Sequence, residues 1–136
     1  MKKFAVVAAM ATAFLGSTSA YAVDLEVTHW WTSAGEAAAI AEFAELFEEQ
    51  TGNNWVDSAL AGSGTGANPV IISRIIGGDP MGATQMNTGR DAEELIQAGL
   101  MRDLTPIVEE MGGLDFYVDQ TLLEPCMYEG GIYCLP

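Results

Sequence analysis

Apolar and polar positions alternate along this chain with two different periods, and each change of period marks a predicted element. Residues 25–30 have the period of a strand. A helix should follow, because Ser33 and Glu36 have capping-box spacing and Gly52 lies where a helix-ending glycine is expected. Its apolar face consists of Ala37, Ile40, Phe43, Ala44 and Phe47.

The middle of the chain repeats this order. Residues 55–61 predict a second strand, and a glycine-rich turn over 62–66 follows it. Asn68 and Pro69 are expected as the N-cap and first residue of a buried helix over 70–76. Residues 83–86 predict a third strand, and Thr88 is expected to cap a helix over 91–98 that Gly99 ends.

The last third predicts shorter elements. A short helix should begin at Thr105 and Pro106, and residues 114–123 are also predicted to be helical. Residues 126–135 are expected to form a hairpin with a three-residue loop, 129–131. Because strands and helices alternate, the predicted fold is α/β, with a parallel-rich sheet covered by helices.

The first 22 residues are predicted to be a cleavable signal peptide that directs export to the periplasm. Lys2 and Lys3 precede an apolar stretch too short to span a bilayer, and Ala20-Tyr21-Ala22 is a small-residue cleavage site. The remaining residues, 23–136, are enough for one domain. They carry three arginines against 19 acidic residues, a formal charge of −16, which argues against nucleic acid or anionic membranes as partners.

Two adjacent tryptophans follow the first strand. Trp30 and Trp31 should face opposite ways, and they lie at the carboxyl end of a strand, where ligands of open α/β sheets gather. Flat aromatic faces suit the C–H faces of sugar rings, so the pair is a candidate sugar platform. Packing of both rings in the core is the alternative.

Polar candidates surround this position. Gln85 and Asn87 flank the end of the third strand, and their carboxamides both donate and accept, which suits a hydroxyl-bearing ligand. Turn chemistry is the alternative for Asn87. Glu36 is either a ligand contact or half of the capping box, and Asp91 is either a ligand contact or part of the cap with Thr88.

Other chemistry has less support. His29 is the only histidine, so catalytic triads and histidine-rich zinc sites are not expected, and we interpret it as a hydrogen-bonded core residue rather than a ligand. Gly62, Gly64 and Ala67 match a loose dinucleotide fingerprint, but an exported protein has little access to NAD, so a backbone turn is preferred. No catalytic residue, metal or cofactor is predicted.

The two cysteines, Cys126 and Cys134, lie in the predicted hairpin. A hairpin centred on Gly130 would place them directly opposite each other, and an oxidising compartment favours a disulfide between them. Two small buried thiols are the alternative.

Six segments, in order along the chain, resemble the extracellular sugar-binding proteins of ABC importers, in the group that includes glucose/mannose-binding proteins. They are LEVTHWW (25–31), AGSGTG (61–66), RIIGGDP (74–80), QMNTG (85–89), AGLMRDLT (98–105) and EGGIYCLP (129–136). The resemblance implies two α/β lobes that close over a sugar, with this chain as the N-terminal lobe and the second lobe missing.

The resemblance also implies roles for residues. Trp30 and Trp31 match a stacking pair, and the polar positions match Glu36, Gln85, Asn87 and Asp91, although some relatives have histidine where this chain has Asn87. Cys134 replaces the glycine of a Tyr-Gly-Leu-Pro segment, which fits a disulfide to Cys126.

The function expected from this resemblance is capture of a monosaccharide such as glucose or mannose by a monomer, and its delivery to the permease subunits of an ABC importer. Hinge closure would enclose the sugar without making or breaking a bond. Three alternatives stay open: an exported carbohydrate-active enzyme, which would need two carboxylates flanking the scissile bond; a binding protein for a non-sugar solute; and an acidic exported domain with no ligand.

Overall fold

The computed structural model of the chain describes residues 22–116 and 119–136. The predicted signal peptide, apart from Ala22, and residues 117–118 of the predicted helix over 114–123 lie outside the described residues. Three parallel strands are present: β1 (Asp24–His29), β2 (Asn54–Ala59) and β3 (Ala83–Thr84). The helices are α1 (Ala34–Thr51), α2 (Ser63–Ile76), α3 (Arg90–Gln97) and α4 (Thr105–Glu110). Three short 3₁₀ turns, Gly113–Phe116, Gln120–Leu122 and Glu124–Cys126, precede a hairpin of β4 (Met127–Tyr128) and β5 (Gly131–Ile132).

The strand order of the parallel sheet is β2-β1-β3, which confirms the predicted α/β class. The chain moves from β1 to one neighbour through α1, and then returns to the other side of β1 through α2. The order therefore reverses at β1, and in open α/β sheets a crevice forms beyond the carboxyl ends of the strands at this point. The residues that follow β1 and β3 border that crevice.

Local sequence signals determine both ends of α1. Ser33 and Glu36 form the predicted capping box, and Gly52 ends the helix with a left-handed φ of 68°. No residue of α1, all of which the structure describes, is fully buried, and Phe43 is 56% exposed. The ring of Phe47 makes an edge-to-face contact with Trp55, 5.9 Å between centroids, which attaches α1 to β2.

The start of α2 differs from the prediction. The glycine-rich segment is not a separate turn, because the helix begins at Ser63 and Pro69 lies inside it. Ala67, Ile71 and Ile75 are spaced by four and form one buried stripe, which requires residues before Pro69 to be helical. The prediction that the helix over 70–76 is buried is confirmed only for one face, since Ile71 and Ile75 are buried whereas Val70 is 47% and Ile76 66% exposed.

The start of α3 is also set differently from the prediction. Thr88 does not cap this helix; Gly89 occupies the N-cap position with φ 91° and no side-chain cap. A positive φ is accessible to glycine at little cost, so the chain enters the helix one residue earlier than expected. Leu95 of α3 joins Ile71, Ile75 and Met81 in the main core, while Val108, Leu123 and Ile132 form a second cluster.

The hairpin has a shorter loop than predicted. Met127 pairs with Ile132 and Tyr128 with Gly131, which leaves the two-residue loop Glu129-Gly130, with φ values of 48° and 87°. Positive φ at both loop residues is typical of the tight turn that favours a twisted hairpin. The expected disulfide between Cys126 and Cys134 is present, with 5.0 Å between Cα atoms.

The cysteines are not directly opposite each other, however. Loss of one loop residue shifts the register, so the amide of Tyr133 donates to the carbonyl of Cys126 at 2.9 Å. Cys134 therefore reaches Cys126 diagonally across the pair. The predicted helix over 114–123 is likewise replaced, where the structure describes it, by 3₁₀ turns.

An ion pair between Glu26 of β1 and Arg74 of α2 should make stability depend on acid pH. Arg74 Nη1 and Nη2 donate to the two carboxylate oxygens at 2.6 and 2.9 Å. These bonds lower the pKa of Glu26 from 4.5 to about 2. Because the folded pKa is the lower one, the pair stabilises the fold fully above pH 4.5 and loses that effect as the pH falls towards 2.

We therefore expect the melting temperature of the protein to fall in this pH window, and the Glu26→Gln variant to lack that part of the fall. Thermal unfolding followed by circular dichroism measures the melting temperatures of the two proteins between pH 2 and 7. This range includes both the ordinary and the lowered pKa of Glu26. Glu45→Gln, which removes an exposed carboxylate of α1, is the matched control. Parallel curves for the wild type and Glu26→Gln would contradict the assignment.

Candidate functional site

The carboxyl edge of the sheet brings the ends of β1 and β3 together. Gln85, directly after β3, accepts a hydrogen bond from the backbone amide of Trp30 through Oε1 at 3.1 Å. Two segments 55 residues apart are thereby joined at the crevice. The carboxamide Nε2 of Gln85 is a donor that this bond does not use.

The two tryptophans lie on opposite sides of the sheet, as their adjacency predicts. Trp30 is half-buried and packs against the core cluster that includes α2 residues. Trp31 is also half-buried, but it lines a cavity of about 390 Å³ between the sheet and α1. The pair therefore does not present one continuous aromatic surface; Trp31 has the cavity in front of it, whereas Trp30 supports the core.

Asn87 and Asp91 contact the first turns of α2. Asn87 donates from Nδ2 to the carbonyl of Gly64 at 3.4 Å, and Asp91 accepts from Asn68 Nδ2 at 2.8 Å. Asn68 is only 3% exposed, and within the described part of the chain its Oδ1 has no hydrogen-bond partner. A small polar cluster thus surrounds the start of α2, next to the residues that follow β3.

Glu36 has a structural role at the start of α1. Its Oε2 accepts from the hydroxyl of Ser33 at 2.7 Å and from the backbone amide of Ser33 at 3.0 Å. The hydroxyl bond is the main reason that the pKa of Glu36 lies below its ordinary value. Of the two roles that the sequence allows for Glu36, the structure shows the capping role. Both of its bonds to Ser33 use Oε2, so the cap does not use Oε1.

Three partners within the site could not be identified from the sequence. His29 is buried, as interpreted, and its Nε2 lies 2.7 Å from Oδ1 of Asp57 in β2. The available signal was weak: aspartate is depleted in strands, and Asp57 lies in the middle of one. The sequence pattern places Asn68 at a cap and Gly64 in a turn, and it does not indicate their contacts with Asp91 and Asn87.

Two features are absent from the described residues, a membrane-spanning helix and a metal-binding cluster. No helix in residues 22–116 or 119–136 has the length and apolar character needed to cross a bilayer. Within the same ranges, no group of three or more histidine, cysteine, aspartate or glutamate side chains is arranged to hold a metal ion.

Comparisons with known proteins give relatives of one kind. No family model matches the chain. It is 35% identical over 132 residues to a probable sugar-binding periplasmic protein of Rhizobium meliloti (strain 1021), and 31% identical over 132 residues to one of Mesorhizobium japonicum; each alignment covers 96% of this chain and 31% of the relative. An uncharacterized ABC transporter extracellular-binding protein of Pyrococcus horikoshii is 33% identical over 86 residues, 62% of this chain and 19% of that protein.

A solved structure supports the fold. CpMnBP1 with mannotriose bound superposes with a TM-score of 0.63 at 20% identity, over 84% of this chain and 28% of that one. At this identity the likeness concerns the fold alone. The chain spans 31% of the length of the two sugar-binding relatives above. Over that length it is homologous to proteins named as periplasmic sugar-binding proteins, and it has the fold of one part of a mannotriose-bound protein.

Proposed function

We propose that residues 23–136 are the N-terminal lobe of a two-lobed periplasmic protein that binds a sugar and delivers it to the permease subunits of an ABC importer. The observation that carries this proposal is the hydrogen bond from the Trp30 amide to Gln85, which joins the ends of β1 and β3 at the point where the strand order reverses. Aromatic rings after β1 and carboxamide donors after β3, at one edge of the sheet, are a combination that suits a sugar ring and its hydroxyls.

The proposed binding residues differ in what they offer. Trp31 supplies an apolar face at the cavity, and Trp30 holds the loop against the core. Gln85 and Asn87 contribute carboxamides, and Asp91 and Glu36 each have a carboxylate oxygen that their internal bonds do not use. Closure of a second lobe over these groups would exclude water and strengthen their hydrogen bonds.

The proposed role is binding without catalysis. Its support is that the relatives are named as binding proteins. The signal peptide over residues 1–22 would place the protein in the periplasm, and we propose that it acts there as a monomer with no cofactor. Glucose and mannose are the proposed monosaccharides, while mannotriose, bound in the structural neighbour, is the natural oligosaccharide to compare.

Calorimetry with D-glucose, D-mannose and mannotriose tests this function. The chain and a version extended into its downstream reading frame would both be titrated, and the mixtures would then be examined by chromatography for products. We expect the extended protein to bind at least one of these sugars and to leave it chemically unchanged. Hydrolysis of mannotriose, or no binding of any of the three by an extended protein that is folded, would contradict the proposal.

Two glycines of α2 allow a matched test of Asn87. A Cβ added at Gly64 would lie 2.8 Å from Oδ1 and 3.0 Å from Nδ2 of Asn87, whereas one at Gly66 would lie no closer than 3.6 Å to the carbonyl oxygen of Ala61. Both Gly→Ala changes favour the helix, by about 0.5–1 kcal/mol. Only Gly64→Ala must also displace the carboxamide of Asn87.

We therefore expect Gly66→Ala to raise the melting temperature and keep sugar affinity, and Gly64→Ala to lower affinity about five- to tenfold, the loss of one hydrogen bond. Differential scanning calorimetry and titration with the sugar that binds the wild type measure the two effects. Equal affinity of the two variants would remove Asn87 from the proposed site.

A further inference from the structure

His29 connects β2 to the tryptophan that faces the cavity. It is the last residue of β1 and only 3% exposed, and both of its ring nitrogens have partners. Nε2 lies 2.7 Å from Oδ1 of Asp57, and Nδ1 lies 3.2 Å from the backbone nitrogen of Trp31. His29, Asp57 and Trp31 all line the same cavity on the α1 side of the sheet.

These contacts determine which nitrogen carries the proton. A backbone amide can only donate, so Nδ1 must be the unprotonated acceptor of the Trp31 N–H. In a neutral imidazole the proton then lies on Nε2, which donates it to the carboxylate of Asp57. The bond to Trp31 therefore requires neutral His29 in this one tautomer.

We propose that His29 is a positioning residue, which holds Trp31 in place for the sugar through the chain Asp57–His29–Trp31. This inference rests on the proposed sugar-binding function and adds a residue to it that does not itself contact the sugar. Asp57 fixes the tautomer and the orientation of the ring, and the ring fixes the backbone of Trp31. The indole is thereby set in the lining of the cavity before the sugar arrives, which reduces the ordering that binding requires.

Protonation of His29 breaks this series of hydrogen bonds. A proton on Nδ1 would oppose the Trp31 N–H, so two donors would face each other and the hydrogen bond would be lost. Two carboxylates act on His29: Asp57 from β2 by direct contact, and Glu36 from the start of α1 by charge. Otherwise, the residues of α1 that line the cavity are apolar: Ala37, Ile40, Ala41 and Ala44.

Nuclear magnetic resonance of the wild-type chain, without sugar, tests the positioning directly. Imidazole ¹⁵N shifts distinguish a protonated from an unprotonated Nδ1, and the amide of Trp31 can be followed in the same pH titration. We expect Nε2 to carry the proton in the neutral form of His29, and the Trp31 amide signal to move when His29 is protonated. A Trp31 amide that does not respond when His29 is protonated would overturn the proposal.

Two variants extend the test to sugar affinity. In His29→Asn the carboxamide oxygen can take the place of Nδ1 as acceptor for Trp31, whereas in His29→Gln the longer side chain reaches the position of Nε2 near Asp57. We expect His29→Gln to bind the sugar about five- to tenfold more weakly, with rescue in His29→Asn. The measurement is calorimetry with D-glucose, D-mannose and mannotriose, above and below the His29 titration.

The two parts of the experiment separate the possible failures. Equal affinity in both variants, or a wild-type affinity that does not change on protonation of His29, would overturn the positioning role. If the wild type binds none of the three sugars, the proposed function fails, and the sugar-free titration still decides whether His29 holds Trp31.

Discussion

Replacing Trp31 by alanine is expected to weaken sugar binding by about tenfold or more. The indole lines the cavity beside the crevice, so its removal takes away both an aromatic face and the apolar area that a sugar ring would cover. Loss of stacking and burial of this kind amounts to roughly 1–3 kcal/mol. The change is measured by calorimetry on the protein that binds one of the probe sugars.

Trp30 serves as the contrasting position. Its ring packs against the core cluster of Ile71, Ile75 and Leu95, so Trp30→Ala should lower both the melting temperature and the affinity. Trp31→Ala should lower the affinity while leaving the circular dichroism spectrum unchanged, and Trp31→Phe should recover part of the binding because an aromatic face remains. Unchanged affinity in both alanine variants, with the fold intact, would exclude the tryptophans from sugar recognition.

Local signals predicted those parts of the fold that depend on neighbouring residues. The capping box of Ser33 and Glu36 and the left-handed Gly52 involve residues within one turn of the helix ends, and both were confirmed. The alternation of strands and helices likewise indicated the α/β class. By contrast, α2 begins where the buried stripe from Ala67 to Ile75 requires it, and Asn68 does not act as the cap that its position suggested.

The candidate site likewise contains residues that the sequence indicated and contacts that it did not. The sequence indicated which residues follow β1 and β3, because the carboxyl ends of parallel strands share one edge. It did not indicate that Asn68 binds Asp91 or that His29 binds Asp57, since these partners are 23 and 28 residues apart and meet only through the sheet order. Hydrogen-bond partners across such distances follow from tertiary packing, which no local period encodes.

Removal of the Cys126–Cys134 disulfide is expected to destabilise the C-terminal part of the chain by about 2–3 kcal/mol, the value for a short closed loop. The bond encloses the hairpin, whose Ile132 packs with Val108 and Leu123 and donates a backbone hydrogen bond to Thr105 Oγ1 of α4. The double variant Cys126→Ala and Cys134→Ala is preferred to serine, because Cys126 is 2% exposed and a buried hydroxyl would add its own penalty.

Hydrogen exchange of the amides in residues 127–132 should show the loss of protection where the bond acts, while the β1–β2 pairing should be affected less. Reduction of the wild-type protein is the matched control, since it breaks the bond without changing a side chain. Thiol titration of the unfolded, unreduced protein should find neither cysteine reactive. Two reactive thiols per chain in protein prepared from the periplasm, or hairpin protection that is unchanged by reduction, would show that the bond does not stabilise this part of the fold.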